Sequence, residues 1–147
     1  RHLKVLAPKE PFRTERSGDR IVVDPASYRR YDGLAQAVAG LDANGVARLY
    51  STLKPRLADA YRELGHPDGN IDAAIEKVIT HLLETPAPGA GERELREDSV
   101  SYRYADPRLE RASPAQKQLL RMGPENQALI QEKLREIAAA LGMESGD

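Results

Sequence analysis

The sequence predicts a mainly α domain of about five helices with a small β element, and three observations carry that prediction. Apolar residues recur at three- and four-residue steps in five stretches, the spacing that gives a helix one buried face. Asp, Asn, Ser, Pro and Gly punctuate those stretches where helices start and stop. A turn-forming triplet between two short segments, and one later alternating stretch, supply the β element.

Residues 1–11 are polar and hold Pro8 and Pro11, so they read as a linker or disordered arm. Phe12–Arg16 and Arg20–Val23 flank Ser17-Gly18-Asp19 and predict a short β-hairpin. Asp24-Pro25 gives an N-cap followed by a first-position proline. Tyr28, Tyr31, Leu34, Ala35, Val38 and Leu41 then form one helical stripe. Asp42 is placed to cap a second helix, whose face would be Val46, Leu49, Tyr50, Leu53, Leu57, Tyr61 and Leu64, stopped at Gly65. Pro55 removes a hydrogen bond to the Ser51 carbonyl, so a kink or two shorter helices are expected there.

His66-Pro67-Asp68-Gly69 is a tight connection, and Asn70 caps a third helix with Ile71, Ile75, Val78, Ile79, Leu82 and Leu83 on its face. Residues 85–93 read as a flexible loop, because Thr85–Gly91 is too rich in Pro, Gly and Ala for regular structure. Val100, Tyr102 and Tyr104 alternate with polar residues, so Ser99–Tyr104 reads as a strand beside the hairpin or as one helical turn. Ser113-Pro114-Ala115-Gln116 has the form of a capping box with a first-position proline. Gly123 should take a left-handed stop, and Pro124 should open the last helix, striped by Ile130, Leu134, Ile137 and Leu141 up to Gly142. The folded unit is expected to be a single domain over residues 12–142, with 143–147 a frayed tail.

At 147 residues the chain could bury roughly 68–70% of its unfolded surface, enough to fold without staples. It has no cysteine, which excludes disulfides, thiolate metal sites and a cysteine nucleophile. The net charge is −1, and residues 1–31 alone lean basic, with eight Lys/Arg against four Asp/Glu. A nucleic-acid binder needs a more sustained basic stripe than that.

The motifs with chemical potential are weaker than their structural readings. His81-x-x-Glu84 lacks the second copy that a carboxylate-bridged metal site requires, so no metal and no cofactor is expected. Ser51-Thr52-Leu53-Lys54 has the Ser-x-x-Lys spacing of penicillin-recognising enzymes but not their partner motifs. The Gly-rich loop lacks Gly-Lys-Ser/Thr and therefore no phosphate cradle is predicted. Tyr28-Arg29-Arg30-Tyr31-Asp32 and Tyr102-Arg103-Tyr104-Ala105-Asp106 combine residue types that anchor binding surfaces, although tyrosine must also fill the core of a chain with one Phe and no Trp.

Four segments keep their order over about residues 20–141: Tyr28–Asp32, Ala60–Gly69, Tyr104–Pro107 and Gln116–Asn126. Together they resemble an uncharacterised, mostly proteobacterial family known as a domain of unknown function. Its members look like single-pass proteins with an amino-terminal membrane segment and a proline-containing linker. The resemblance implies that an anchor precedes Arg1 and that the domain faces the periplasm; it brings no activity or catalytic residues. The Ala-Gly-rich stretch from Pro86 to Gly91 departs from the family's pattern.

The leading expectation is a non-catalytic interaction domain of the bacterial cell envelope, tethered to the inner membrane. Its partner would be a protein or envelope component, with no nucleic acid. The alternative is a cell-envelope hydrolase using His66 with Asp68 or a neighbouring carboxylate, and a weak nucleic-acid module ranks third. The nominated binding residues are Arg30, Asp32, His66, Asp68, Arg121 and Asn126 from the four segments, and Arg103 from the Tyr102–Asp106 motif. Arg121 and Asn126 have a second expected role, holding the Gly123 corner together.

Overall fold

The chain begins with two strands, β1 (Thr14–Ser17) and β2 (Arg20–Val23), and continues through α1 (Pro25–Arg29), α2 (Asp32–Ala39), α3 (Ala43–Glu63) and α4 (Ile71–Leu83). Strands β3 (Glu94–Glu97) and β4 (Tyr102–Tyr104) follow, then α5 (Pro107–Glu110), α6 (Pro114–Arg121) and α7 (Pro124–Ala140). The structure is a computed structural model that describes residues 13–17, 20–87, 94–97 and 102–143. The expected amino-terminal arm, the Gly18-Asp19 turn, most of the 85–93 loop and the tail after Met143 lie outside those residues.

The expected fold class holds: a helical body with a small antiparallel sheet. The sheet has four strands in the order β1-β2-β3-β4, one strand more than the sequence predicts. Ile21 lies opposite Leu95, and Arg96 opposite Arg103. The hairpin is fastened to the helices by buried Ser27, whose hydroxyl donates to the Arg13 carbonyl at 2.7 Å and accepts the Arg13 N–H at 2.6 Å.

Three of the expected side-chain caps form, while Asp42 stands at the N-cap position of α3 without a side-chain capping bond. The side chains of Asp24, Asn70 and Ser113 accept from the N–H groups of Ala26, Ala73 and Gln116, and the Ser113/Gln116 capping box is complete. Asp106 does the same for Arg108, opening the one-turn helix α5 that periodicity does not reveal. Two expectations change. The first predicted helix divides at Arg30–Tyr31 into α1 and α2. By contrast, α3 runs unbroken through Pro55 for 21 residues. Pro55 and Ser51 are both exposed, so water can satisfy the carbonyl that the proline leaves without a donor.

The core consists of Val22, Val23, Tyr31, Ala35, Ile79, Leu109, Leu119, Leu120 and Ala138. Helix α7 runs through its centre, packed on α2, α3, α4 and α6. Its inward polar residues end other helices. The last carbonyls of a helix have no partner within it, and here α7 supplies donors: Asn126 to Met122 O, Gln131 to Leu82 O and Lys133 to Leu41 O. Gln127 similarly reaches Pro86 O at 3.2 Å, just beyond α4. Lys133 is buried, and its ammonium binds the Leu41 carbonyl in the connection between α2 and α3, with Glu136 3.3 Å away. No helix among the described residues is long and apolar enough to cross a membrane.

Candidate functional site

Three surfaces could do chemistry or bind. The first is a cleft of about 510 Å³ between α3, α4 and the last turn of α7, lined by Tyr50, Ser51, Lys54, Asp72 and Glu76 among others. Tyr50 and Lys54 lie one helical turn apart on α3, and both donate to the Asp72 carboxylate, Tyr50 at 2.6 Å. Hydrogen bonds from Lys54 and then Tyr50 hold the Asp72 carboxyl below the usual carboxylate range. Burial, followed by the bond to Asp72 and its negative charge, pushes the Tyr50 phenol up to about 12.

This arrangement holds protons rather than moving them. Asp72 occupies both the Lys54 ammonium and the Tyr50 hydroxyl, and the lysine is not turned to Ser51 as a base would be. The Ser-x-x-Lys spacing therefore lines a cleft without assembling a nucleophile. The Tyr50 proton is bound more tightly in the folded chain than in the unfolded one. Its stabilising contribution is thus complete below pH 10.0 and is lost as pH rises through about 12. Asp72 acts in the opposite sense, losing its contribution as pH falls through its lowered value. Tyr50→Phe should flatten the alkaline limb of a urea-unfolding pH series; an unchanged limb would show that this phenol is not held.

The second surface is a cleft of about 330 Å³ where α1 and α2 meet the α6–α7 corner, and it brings together two of the nominated residues, Asp32 and Asn126. Asn126 is buried, and its amide nitrogen donates to Asp32 Oδ1 at 2.9 Å, Met122 O at 3.0 Å and Tyr28 O at 3.1 Å. Both residues are thereby committed to joining helices. Gly123 at this corner has φ 91° and ψ 160°, and it is the N-cap of α7. Gly123 follows Met122, the C-cap of α6, with the positive φ expected of a glycine stop, but its ψ of 160° is not helical, and this conformation lets the chain pass Tyr28 closely.

The other nominees stand apart. Arg30 donates from Nε to Ser27 O at 2.9 Å and lies over the Tyr31 ring, 4.9 Å from its centre. Arg121 is exposed and bonds to Gln118 at 3.2 Å. Arg103 belongs to β4, and its side chain is outside the described residues. His66 is exposed and stacks on Tyr61 at 3.9 Å, while Asp68 accepts from the Asn70 N–H at 3.0 Å. His66 and Asp68 are thus engaged with different neighbours, and the acid–base pair imagined for a hydrolase is not assembled.

One pairing escapes the sequence entirely. His81 Nε2 lies 2.6 Å from Ser113 Oγ, and Gln116 Nε2 donates to the His81 carbonyl at 3.0 Å. Ser113 Oγ also accepts the Gln116 N–H at 3.1 Å, so this serine–histidine contact fastens the capping box of α6 to α4. No group of three or more His, Asp or Glu side chains among the described residues is placed to hold a metal ion.

The third surface is apolar. Sequence periodicity assigns the α3 stripe to the core, yet α3 has no buried residue. Leu49 is 60% exposed, Leu53 39%, Leu57 37% and Leu64 78%. For Leu57 and Leu64 the reason is geometric: Asp72, near the start of α4, sits beside Tyr50 and Lys54, so α4 begins well short of the end of α3, whereas Leu49 lies alongside α4 on a face turned away from it. The second half of α3 therefore extends beyond the helix that should have covered it.

These features define a helical scaffold in which Tyr50, Lys54, Asp72, His81 and Ser113 are engaged with one another or with neighbours, and whose longest described helix leaves its leucines exposed. The chain belongs to the family described as protein of unknown function (DUF3014), whose sequence model matches residues 1–138. No curated protein and no solved structure shows significant similarity to it.

Proposed function

We propose that this chain is a non-catalytic interaction domain of the bacterial cell envelope that docks a partner helix through α3. The carrying observation is the leucine stripe Leu49, Leu53, Leu57 and Leu64, left open to solvent on a 21-residue helix. A contiguous exposed apolar strip of this kind is costly unless something covers it. Helix-in-groove recognition uses anchors at this three- and four-residue spacing. The cleft chemistry adds support, because the Tyr50, Lys54, His66, His81 and Ser113 side chains are each engaged with a protein neighbour. The bacterial cell-envelope setting and the tethering to the inner membrane are the parts of this proposal that rest on the motif resemblance.

A photo-crosslinking amino acid placed at Leu53 or Leu57 of the full-length protein in cells provides the test. Discrete adducts are expected from both positions and not from Asn44, which is exposed on the opposite side of α3. Identical adduct patterns from all three positions would refute the proposal.

A further inference from the structure

We infer that one face of the sheet binds a terminal phosphate group through a row of three arginines, Arg20, Arg96 and Arg103. The inference is independent of the docking role proposed for α3. It starts from strand register. Arg96 of β3 stands opposite Arg103 of β4. On the other side of β3, Val22 pairs with Glu94 and Ile21 with Leu95, so one further step sets Arg20 of β2 opposite Arg96. Residues that stand opposite one another share a face of the sheet. Three adjacent strands thus place an arginine in one row, which Ser17, opposite Arg20, continues onto β1. Of the three, sequence alone nominates Arg103; Arg20 and Arg96 join it only through pairing.

Such a row is unfavourable by itself, because like charges directly opposite destabilise a sheet. The strands do not offset it in full. Faces alternate along a strand, so Glu15 and Glu94 lie on the arginine face one row away, while Glu97 falls on the other face. Two carboxylates against three guanidiniums leave a positive surplus on that face of the strands. Asp19 and Asp98 adjoin the row in sequence and lie outside the described residues. The spacing suits phosphate. Neighbouring strands are about 4.8 Å apart, so the three positions span about 10 Å. An arginine fork takes oxygens in pairs. A carboxylate has two oxygens and fills one fork, whereas a terminal phosphate has three and can be shared between neighbouring forks. A diphosphate can use the whole row.

Sodium pyrophosphate is the probe, titrated into the purified chain by calorimetry at constant ionic strength, with glutarate as the dicarboxylate control. Pyrophosphate should bind and raise the melting temperature, and glutarate should do neither. Arg96→Gln removes the middle of the row and should weaken pyrophosphate binding at least about 10-fold. If that variant fails to fold, Arg103→Gln, on the edge strand, is read in its place. Arg16→Gln changes net charge by the same amount on the opposite face, where Arg16 stands across from Ile21, and should leave binding unchanged.

No response to pyrophosphate, an equal response to glutarate, or a loss in Arg16→Gln as large as in Arg96→Gln would overturn the inference. So would a chain that ignores pyrophosphate but holds a DNA duplex, which would give the row to a nucleic-acid backbone. Cosedimentation with vesicles of equimolar phosphatidylcholine and phosphatidic acid separates two sources of the same group. Retention that Arg96→Gln abolishes assigns the row to a lipid headgroup, and pyrophosphate binding without retention assigns it to a soluble phosphate compound. Crosslinking at Leu53 and Leu57 reads a different surface, so either reading can fail without the other.

Discussion

Gly123→Ala should cost about 4 kcal/mol of stability, and thereby lower the melting temperature by roughly 10–15 °C. Two effects combine. At φ 91° and ψ 160° the backbone occupies a region that residues with a Cβ essentially never adopt. The added methyl would also lie 2.5 Å from Cγ and 2.7 Å from Cβ of Tyr28. Those atoms are the root of the tyrosine side chain, so it cannot swing away as the tip of a long side chain could. Nor can α1 easily retreat, because the Tyr28 carbonyl is bound by Asn126. Combining Gly123→Ala with Tyr28→Ala separates the terms in part: the contact with Cγ is removed, but the one with Cβ at 2.7 Å and the backbone cost of about 1–3 kcal/mol remain. Thermal unfolding of the single and double variants checks this. A single variant that melts within a degree or two of the parent would show that the corner is not tightly built.

Asn126→Asp should be nearly as damaging, at about 3–5 kcal/mol near neutral pH. The amide nitrogen now serves the Asp32 carboxylate and two carbonyls, Tyr28 O and Met122 O. A carboxylate in its place offers those oxygens no proton and sets a second negative charge beside the first. The loss should depend on pH. Folding favours the protonated form of the new carboxyl, which can still donate one bond, so the deficit shrinks as pH falls through the carboxylate range and grows as it rises. Asn126→Leu removes the same bonds without adding charge, and should cost less, about 1–3 kcal/mol, with little pH dependence. Urea titrations of both variants at acid and neutral pH distinguish these behaviours. A deficit for Asn126→Asp that does not change with pH would contradict the assigned contacts.

Local signals were legible in the sequence and tertiary ones were not. The caps at Asp24, Asn70 and Ser113 act over two or three residues, so spacing alone locates them. Strand β3, reading Glu-Leu-Arg-Glu, consists of helix formers or neutral residues, and it is extended because β2 and β4 offer their edges to it. Periodicity announces that α3 is a helix with an apolar face. It does not say whether anything covers that face, which depends on where α4 starts. Asn126 joins the Gly123 corner as its second expected role has it, whereas the burial of Gln127 and Lys133 could not be read, because their partners are carbonyls that no sequence pattern displays.

The candidate sites divide the same way. Asp32 and Asn126 were nominated for binding and turn out to bind each other, 94 positions apart in the chain. The Tyr50–Asp72–Lys54 cluster joins residues 18 and 22 positions apart, and exists only once α4 has docked.

The placement of α7 has a temporal side. The ribosome makes this helix after every other element of the domain, yet the ends of α2, α4 and α6 all wait on its side chains. A nascent chain that has emerged only as far as α6 has its hairpin and several helices, but no axle on which to mount them. Closure of the domain therefore waits until α7 has been made, whatever local structure the emerging chain has already adopted.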